Sequence, residues 1–238
     1  MPEEINRLLT DQISDFLFVT EQSGLDNLKN EGIDEKKIFF VGNIMIDTLV
    51  FNLPKIKKSD IMNELKLKEK EFILLTMHRP RNVDNEYNLR NMFDILNEIQ
   101  KETKIIYPIH PRTTKSIKRF GLEKTVKYMS NFIKIKPLRY IDFINLTLNC
   151  KTVLTDSGGI QEETTFLGVP CITIRENTER PVTVVKGTNL VVGSKKEKIM
   201  QAVDKVLNND WKKGCVPELW DGKTAERIVK VLRNEYIN

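Results

Sequence analysis

The sequence predicts an α/β fold in which a Rossmann-like parallel sheet carries helices on both faces. Short runs rich in β-branched residues alternate with longer helical stretches through the middle of the chain, which is typical of repeated βαβ units. Several of these runs lack polar alternation, as expected for strands covered on both faces. The predicted strands are Phe72–Thr76, Lys104–Pro108, Phe132–Ile135, Thr152–Thr155, Cys171–Ile174 and Asn189–Val192.

The segments between these strands show helix signals of their own. Residues 85–102 carry an apolar stripe, and Asp84 is the predicted N-cap. The segment Ile160–Leu167 is followed by Gly168, a typical helix end. The segment Lys195–Leu207 is amphipathic. Because crossovers between parallel strands are right-handed, these helices are expected on both faces of the sheet.

The amino-terminal segment does not begin with a strand, as a Rossmann-like unit usually does. Its predicted order is helix Glu3–Leu9, strand Phe16–Val19, helix Glu21–Glu31 and strand Lys37–Val41. We therefore expect residues 1–42 to be the remnant of an N-terminal Rossmann-like domain, whose remainder preceded this sequence or is supplied by another chain. Residues 43–221 are then a Rossmann-like ligand-binding domain, and residues 222–238 a C-terminal helix that packs back toward the N-terminal side.

Composition excludes several classes of protein. Of 238 residues, 40% are hydrophobic and 30% charged, which excludes a disordered or fibrous chain. The net charge of +5 is too small to indicate nucleic acid as a partner. No apolar run approaches the roughly 18 residues of a membrane span, and no signal-peptide pattern is present. Three cysteines without CxxC spacing argue against a disulfide framework and a zinc site, and predict a reducing, cytoplasmic location.

Polar residues gather where the predicted strands end. In an open parallel sheet, ligands bind beyond the carboxyl ends of the strands, at the switch point of strand order. His78 and Arg79 follow the first of the six strands, His110 the second, Ser157 the fourth and Arg180 the fifth. With the common order 3-2-1-4-5-6, the first and fourth strands are neighbours, so His78 and Ser157 would face each other across the crevice.

The turn Asp156-Ser157-Gly158-Gly159 is the sharpest local feature, because it joins a strand directly to a helix. Two glycines let a ligand approach the backbone, and the N–H groups and dipole of a helix start favour phosphate. The pattern is neither a Walker A loop nor GxGxxG, so it does not indicate ATP or NAD. The alternative is a tight turn capped by Ser157 with no ligand.

The neighbouring candidates each have a structural alternative. Glu162 and Glu163, expected in the first turn of that helix, either complement the dipole or accept hydrogen bonds from ribose. His78 and His110 are either proton donors beside a phosphate or sugar, or satisfied histidines at strand ends. Phe143 either packs against a base or belongs to the core. Arg180 either faces an anion or is solvated.

Seven ordered segments resemble the non-hydrolysing UDP-N-acetylglucosamine 2-epimerases and span nearly the whole chain. They are Pro2-Glu3-Glu4-Ile5-Asn6-Arg7, Val41-Gly42-Asn43 with Ile46-Asp47, His78-Arg79, Tyr107-Pro108-Ile109-His110-Pro111, Asp156-Ser157-Gly158-Gly159-Ile160-Gln161-Glu162-Glu163, Thr178-Glu179-Arg180-Pro181 and Gly187-Thr188-Asn189. The resemblance implies the C-terminal half of a glycosyltransferase-B-like two-domain fold, plus the end of the N-terminal half.

The resemblance also implies a reaction that needs no cofactor and no metal. UDP is eliminated from the sugar while the C2 proton is removed, giving a 2-acetamidoglucal, and re-addition delivers a proton to the opposite face. The product, UDP-N-acetylmannosamine, serves polysaccharide biosynthesis. A cytoplasmic homodimer acting on a UDP-sugar, without nucleic acid or membrane, is the implied assembly.

Residue roles carry over by position. Glu3 and His78 would be catalytic, and His110 a possible effector contact. The substrate-binding residues would be Arg79, Phe143 against uracil, Ser157, Gly158 and Gly159 at the diphosphate, Glu163 at the ribose, and Arg180. One departure is Arg81, since many relatives read His-Arg-x-Glu-Asn where this chain has His78-Arg79-Pro80-Arg81-Asn82.

Two rival functions remain open at this stage. One is a fragment that binds UDP without catalysis, because the opposing wall of the cleft is absent from this sequence and catalysis needs groups held accurately from both walls. The other is a glycosyltransferase of the same fold, which would release UDP only in the presence of an acceptor.

Overall fold

The computed structural model describes residues 2–237, with side chains for residues 4–235. The helices are α1 (Pro2–Ile13), α2 (Gln22–Asn30), α3 (Ile44–Ile56), α4 (Ile61–Glu64), α5 (Pro80–Val83), α6 (Glu86–Ile99), α7 (Pro111–Arg119), α8 (Glu123–Tyr128), α9 (Tyr140–Asn149), α10 (Gly158–Leu167), α11 (Pro181–Val185), α12 (Lys196–Leu207) and α13 (Thr224–Ile237). The strands are β1 (Leu17–Val19), β2 (Ile38–Phe40), β3 (Phe72–Thr76), β4 (Lys104–Pro108), β5 (Phe132–Ile135), β6 (Thr152–Thr155), β7 (Cys171–Thr173) and β8 (Asn189–Val191).

The chain divides into two compact units. The large unit comprises residues 53–215, and the small unit comprises residues 1–52 and 216–238. The sequence predicted domain limits after residues 42 and 221. These limits describe a ligand-binding domain and stay a prediction. No helix within residues 2–237 is long and apolar enough to cross a membrane.

A six-stranded parallel sheet forms the centre of the large unit. Its order is β5-β4-β3-β6-β7-β8, which numbers 3-2-1-4-5-6 along the chain and confirms the predicted order. The central strand β3 pairs with β4 on one side and with β6 on the other, so that Thr76 and Thr155 are register partners. The predicted α/β class, with a parallel sheet, is confirmed.

Helices cover both faces of this sheet because successive residues of β3 point to opposite sides. Ile73 and Leu75 belong to a core that includes the apolar stripes of α6 and α12. Phe72 and Leu74 belong to a second core that includes Leu146 of α9. All four strand residues are fully buried, which explains the absence of polar alternation in the sequence.

Two helix starts differ from the sequence predictions, and one helix end agrees with them. The N-cap of α6 is Asn85, whose side chain accepts from the Asn88 N–H, so the prediction of Asp84 was wrong by one residue. Helix α10 ends at Gly168 in a left-handed conformation (φ 69°), as predicted. The same helix begins at Gly158, two residues before the predicted start. Its two glutamates therefore lie beyond the first turn.

The small unit contains a two-stranded parallel sheet. Leu17 of β1 is the register partner of Ile38 in β2, and Leu28 packs in the same core. The carboxylate of Asp47 accepts from the backbone N–H groups at the start of α13, at 3.1 and 2.8 Å. This contact places α13 in the same unit as the amino-terminal segment.

Candidate functional site

The carboxyl edge of the large sheet brings the predicted polar loops together. Because β3 lies between β4 and β6, the loop that holds His78 lies between the loops that hold His110 and Ser157. The rings of His78 and His110 lie 5.7 Å apart, centroid to centroid. The topology therefore places both histidines of the chain at one edge, beside the start of α10.

Asp156 fixes the loop after β3. Its carboxylate is fully buried and accepts hydrogen bonds from His78 N at 3.1 Å, Arg79 N at 2.8 Å and Asn82 Nδ2 at 3.0 Å. An ionised carboxylate makes stronger hydrogen bonds than a neutral acceptor, so this single residue ties the end of β6 to the loop after β3. Asp156 was not predicted as a site residue, although its place directly after a buried strand was the available signal.

The start of α10 has space where its glycines lie. A Cβ at Gly159 would meet nothing within 4 Å, and a Cβ at Gly158 would meet only the Glu179 carboxylate, at 3.9 Å. Neither glycine has a positive φ. The backbone and the packing would therefore accept alanine at both positions, so the fold alone gives no reason for this glycine pair.

Ser157 is the N-cap residue of α10, but its side chain makes no capping hydrogen bond. Capping was the structural alternative for this residue, and the geometry does not support it. The hydroxyl and the N–H groups of the first turn all lie at the same helix end. A helix start of this kind favours an anion, because of its orphan donors and its dipole.

The two glutamates of α10 lie beyond its first turn and are buried, at 6% exposure for Glu162 and 5% for Glu163. The predicted first-turn position was wrong because the helix begins earlier, and a dipole role is lost with it. Glu162 Oε1 lies 2.9 Å from Arg180 Nε. The distance is short but the N–H is poorly aligned, so that Arg180 Nε is buried without a good hydrogen bond.

Glu163 lies next to Tyr140, the first residue of α9. The pKa of Glu163 is raised to about 7, mainly by burial; the Tyr140 hydroxyl opposes this rise in part, and the charge of Glu162 contributes to it. Burial also raises the pKa of Tyr140, as does the Glu163 carboxyl. Tyr140 Oη is buried without a well-aligned hydrogen bond among residues 4–235. This pair offers a hydroxyl and a carboxyl to a polar ligand, and Tyr140 was not predicted from the sequence.

The loop after β7 adds further charges. Arg175 forms a bidentate ion pair with Glu179, whose pKa it holds below its usual value. A cavity of about 250 Å³ opens between the loops that follow β3, β7 and β8. Its lining includes Arg79, Arg81, Arg175 and Glu176, so the arginine that departs from the expected pattern lines a cavity with three arginines and one carboxylate.

The positions of Phe143 and Glu3 do not test their predicted roles. Phe143 is half-buried on α9 and packs against the second core, which agrees with its structural alternative and leaves a contact with uracil as a prediction. Glu3 lies in α1 of the small unit, and its side chain falls outside the described residues 4–235. Its catalytic role stays a prediction.

Comparison with known proteins shows the family. Residues 1–233 match the family described as UDP-N-acetylglucosamine 2-epimerase. The UDP-N-acetylglucosamine 2-epimerase of Methanocaldococcus jannaschii is 44% identical over 240 residues, covering 98% of this chain and 64% of that protein. The UDP-2,3-diacetamido-2,3-dideoxy-D-glucuronate 2-epimerase of Pseudomonas aeruginosa is 40% identical over 206 residues, covering 85% of this chain and 55% of that protein.

A solved structure is similar as well. The crystal structure of the M. jannaschii UDP-GlcNAc 2-epimerase in complex with UDP-GlcNAc and UDP superposes with a TM-score of 0.86 at 43% identity, covering 98% of this chain and 65% of that one. This chain thus spans about two thirds of the length of the relatives that it matches. The family match over almost all of its residues, together with this identity, shows that the chain belongs to the UDP-N-acetylglucosamine 2-epimerase family.

Proposed function

We propose that this chain is a UDP-N-acetylglucosamine 2-epimerase polypeptide that interconverts UDP-N-acetylglucosamine and UDP-N-acetylmannosamine. The observation that carries the proposal is the start of α10, where two glycines that the fold does not require leave backbone N–H groups open to an anion. The similarity to the M. jannaschii enzyme supports the choice of substrate.

In the proposed reaction, a base removes the C2 proton while the bond between C1 and the UDP oxygen breaks and UDP leaves with the electron pair. The 2-acetamidoglucal then receives a proton on the opposite face of C2 as the UDP oxygen attacks C1. Nothing is oxidised or reduced overall, so no cofactor is required. The protein must stabilise the leaving diphosphate, hold a carboxylate near C2 and exclude water.

Each candidate residue receives a proposed role, and all of them except Glu3 lie in the large unit. Ser157, Gly158 and Gly159 hold the diphosphate, with Arg180 and Arg79 as counter-charges. His78 lies at the phosphate and sugar, where it holds or moves a proton. The remaining assignments are Phe143 against uracil, Glu163 on the ribose hydroxyls, His110 as an effector contact and Glu3 as a catalytic carboxylate.

The substrate assignment has a specific competitor. The P. aeruginosa relative is named for a UDP-2,3-diacetamido-2,3-dideoxy-D-glucuronate, which shares UDP and a C2 acetamido group with UDP-N-acetylglucosamine but differs at C3 and C6. The proposed nucleotide contacts serve both sugars equally. Parallel assays with both sugars separate them.

Deuterium incorporation tests the reaction directly. Incubation of the folded chain with UDP-N-acetylglucosamine in deuterated water is expected to label C2 of the sugar. Deuterium at C2, and at no other position of the sugar, supports the proposed chemistry. A folded chain that binds UDP but gives no label contradicts the assignment of catalysis to these 238 residues.

That outcome describes the second candidate, a polypeptide that binds UDP without catalysis. This chain spans 64% of the length of the M. jannaschii protein. If a separate N-terminal domain chain completes the protein, adding that domain is expected to restore labelling. We also propose that the protein is cytoplasmic and forms a homodimer. Light scattering of the purified protein tests the homodimer through its mass.

A further inference from the structure

We propose that Glu162 and Gln161 are positioning residues that hold Arg180 toward the diphosphate; the inference rests on the proposed function. Both lie on α10, the helix whose start would bind the phosphates, whereas Arg180 comes from the loop between β7 and α11. The side chains of Glu162 and Gln161 join α10 to this loop by independent contacts.

The first contact is the ion pair. Glu162 is almost fully buried, while the side chain of Arg180 is 41% exposed. The carboxylate therefore attracts the inner edge of the guanidinium, at Nε, by its charge, and leaves part of the same side chain at the surface. Arg180 Nη1 also donates to the backbone carbonyl of Glu179 at 3.0 Å. These two contacts favour one direction of the arginine side chain.

The second contact is made by the amide of Gln161, which is fully buried. Its Oε1 accepts from Thr178 Oγ1 at 2.6 Å and from Asn189 Nδ2 at 2.9 Å. Thr178 Oγ1 in turn accepts from the backbone N–H of Arg180 at 3.0 Å. Gln161 Nε2 donates to the Ser157 carbonyl at 3.2 Å. One amide thus connects the turn at Ser157 with the backbone of Arg180.

The network continues into the sheet. Asn189 of β8 accepts from Thr173 Oγ1 of β7 at 2.6 Å and donates to Thr183 Oγ1 at 3.1 Å. A buried polar network of this kind adopts one arrangement, because each unpaired member would be costly. The loop at Arg180 is therefore fixed to two strands and a helix. An arginine fixed in this way loses less freedom when it binds an anion.

Calorimetry with UDP and with uridine tests the inference on the full chain. Glu162→Gln keeps the side-chain shape but removes the charge, and it is expected to weaken UDP binding about tenfold, which is 1.4 kcal/mol. Uridine affinity is expected to stay unchanged, because uridine has no phosphate for Arg180 to contact. Thr178→Val, which removes only the hydroxyl link, is expected to act in the same direction with a smaller effect.

The double variant separates positioning from a general structural role. In an Arg180→Gln background, adding Glu162→Gln is expected to cause no further loss of UDP affinity, since the residue acts through the arginine. Glu98→Gln, which removes an exposed ion pair with Lys196 in the same unit, is the matched control and is expected to bind UDP normally.

Several results would overturn the inference. They are equal losses for UDP and uridine, additive losses in the double variant, or tighter UDP binding by Glu162→Gln, which would mean that the carboxylate only opposes the phosphate. If Ser157→Ala weakens UDP binding while Glu162→Gln leaves it unchanged, this inference is wrong and the proposed function stands. A wild-type chain that does not bind UDP contradicts the proposed function itself.

Discussion

The Nδ1 atom of His78 lies 3.4 Å from Oδ1 of Asp156, whose carboxylate is fully buried. The same carboxylate accepts from the backbone N–H of His78, so it contacts both the backbone and the side chain of this residue. Asp156 therefore contacts the imidazole of His78 as well as holding the loop after β3.

Asp156→Asn tests both roles of this carboxylate. Asparagine keeps one acceptor oxygen for the donors at His78, Arg79 and Asn82, but it replaces the other oxygen with an NH₂ group and removes the charge that strengthens these hydrogen bonds. The variant is expected to lose about 1–3 kcal/mol in the free energy of unfolding, measured by urea denaturation. UDP affinity is expected to fall as well, because the loop after β3 moves.

Asp84→Asn is the control for that experiment. Asp84 forms an exposed ion pair with Arg112, and such pairs contribute only about 0–1 kcal/mol. If Asp156→Asn is no less stable than Asp84→Asn, the carboxylate does not organise the loop in the way that the hydrogen bonds indicate.

The buried carboxyl of Glu163 predicts a pH dependence of stability. Burial raises its pKa from 4.5 to about 7, so between these values the folded protein holds a proton that the unfolded chain has released. Stability is therefore expected to fall as pH rises through this range and to level off above it. The loss attributable to this residue is roughly 2–3 kcal/mol.

Glu163→Gln removes this titration. Urea denaturation of both proteins from pH 5 to pH 8 is expected to show the variant gaining stability relative to the wild type as pH rises. A difference in unfolding free energy that stays constant over this range would contradict the raised pKa. Groups that do not contact Glu163 titrate identically in both proteins, so the difference reports on Glu163 and on its coupled neighbours Glu162 and Tyr140.

Much of the fold was predictable because it depends on local pattern. The six strands of the large sheet follow from apolar runs, and Gly168 marks the end of α10 by its chemistry alone. Their order follows from a general preference among α/β sheets. The helix starts were less predictable, since Asn85 and Asp84 are both good N-caps and Gly158 is a poor helix former.

The contacts between site residues were not predictable from sequence. Glu162 reaches Arg180 and Gln161 reaches Asn189 only because α10 packs beside the loop after β7 and the end of the sheet. Tyr140 meets Glu163 through the packing of α9 beside α10. Such pairs depend on tertiary arrangement, whereas the residues at the strand exits, such as His78 and Ser157, are given by topology.

Phe143→Leu distinguishes an uracil contact from core packing. Leucine keeps an apolar side chain against the second core but has no ring for a base to stack on. Uridine affinity is expected to fall about tenfold, since stacking on an aromatic side chain contributes roughly 1–3 kcal/mol per base. Phe143→Tyr keeps the ring and is expected to bind normally. Equal uridine affinities for the leucine variant and the wild type would favour the core interpretation.

The glycine pair at the start of α10 gives the most direct test of the anion site. Gly158→Ala and Gly159→Ala place a methyl group where it meets no clash, at an ordinary φ, and alanine is the better helix former. Both variants are expected to unfold at the same or a higher urea concentration than the wild type. Their UDP affinity is expected to fall at least tenfold, because the methyl group blocks close approach of the phosphates to the backbone.

Gly168→Ala provides the opposite control at the other end of the same helix. Its Cβ would also meet nothing within 4 Å, but the residue has a φ of 69°, which strains an alanine. This variant is expected to lose about 1 kcal/mol of stability and to keep its UDP affinity. Loss of affinity without loss of stability at Gly158 and Gly159, and the reverse at Gly168, separates a ligand-imposed glycine from a backbone-imposed one. Full UDP affinity in both Gly158→Ala and Gly159→Ala would contradict a diphosphate bound at the backbone of this helix start.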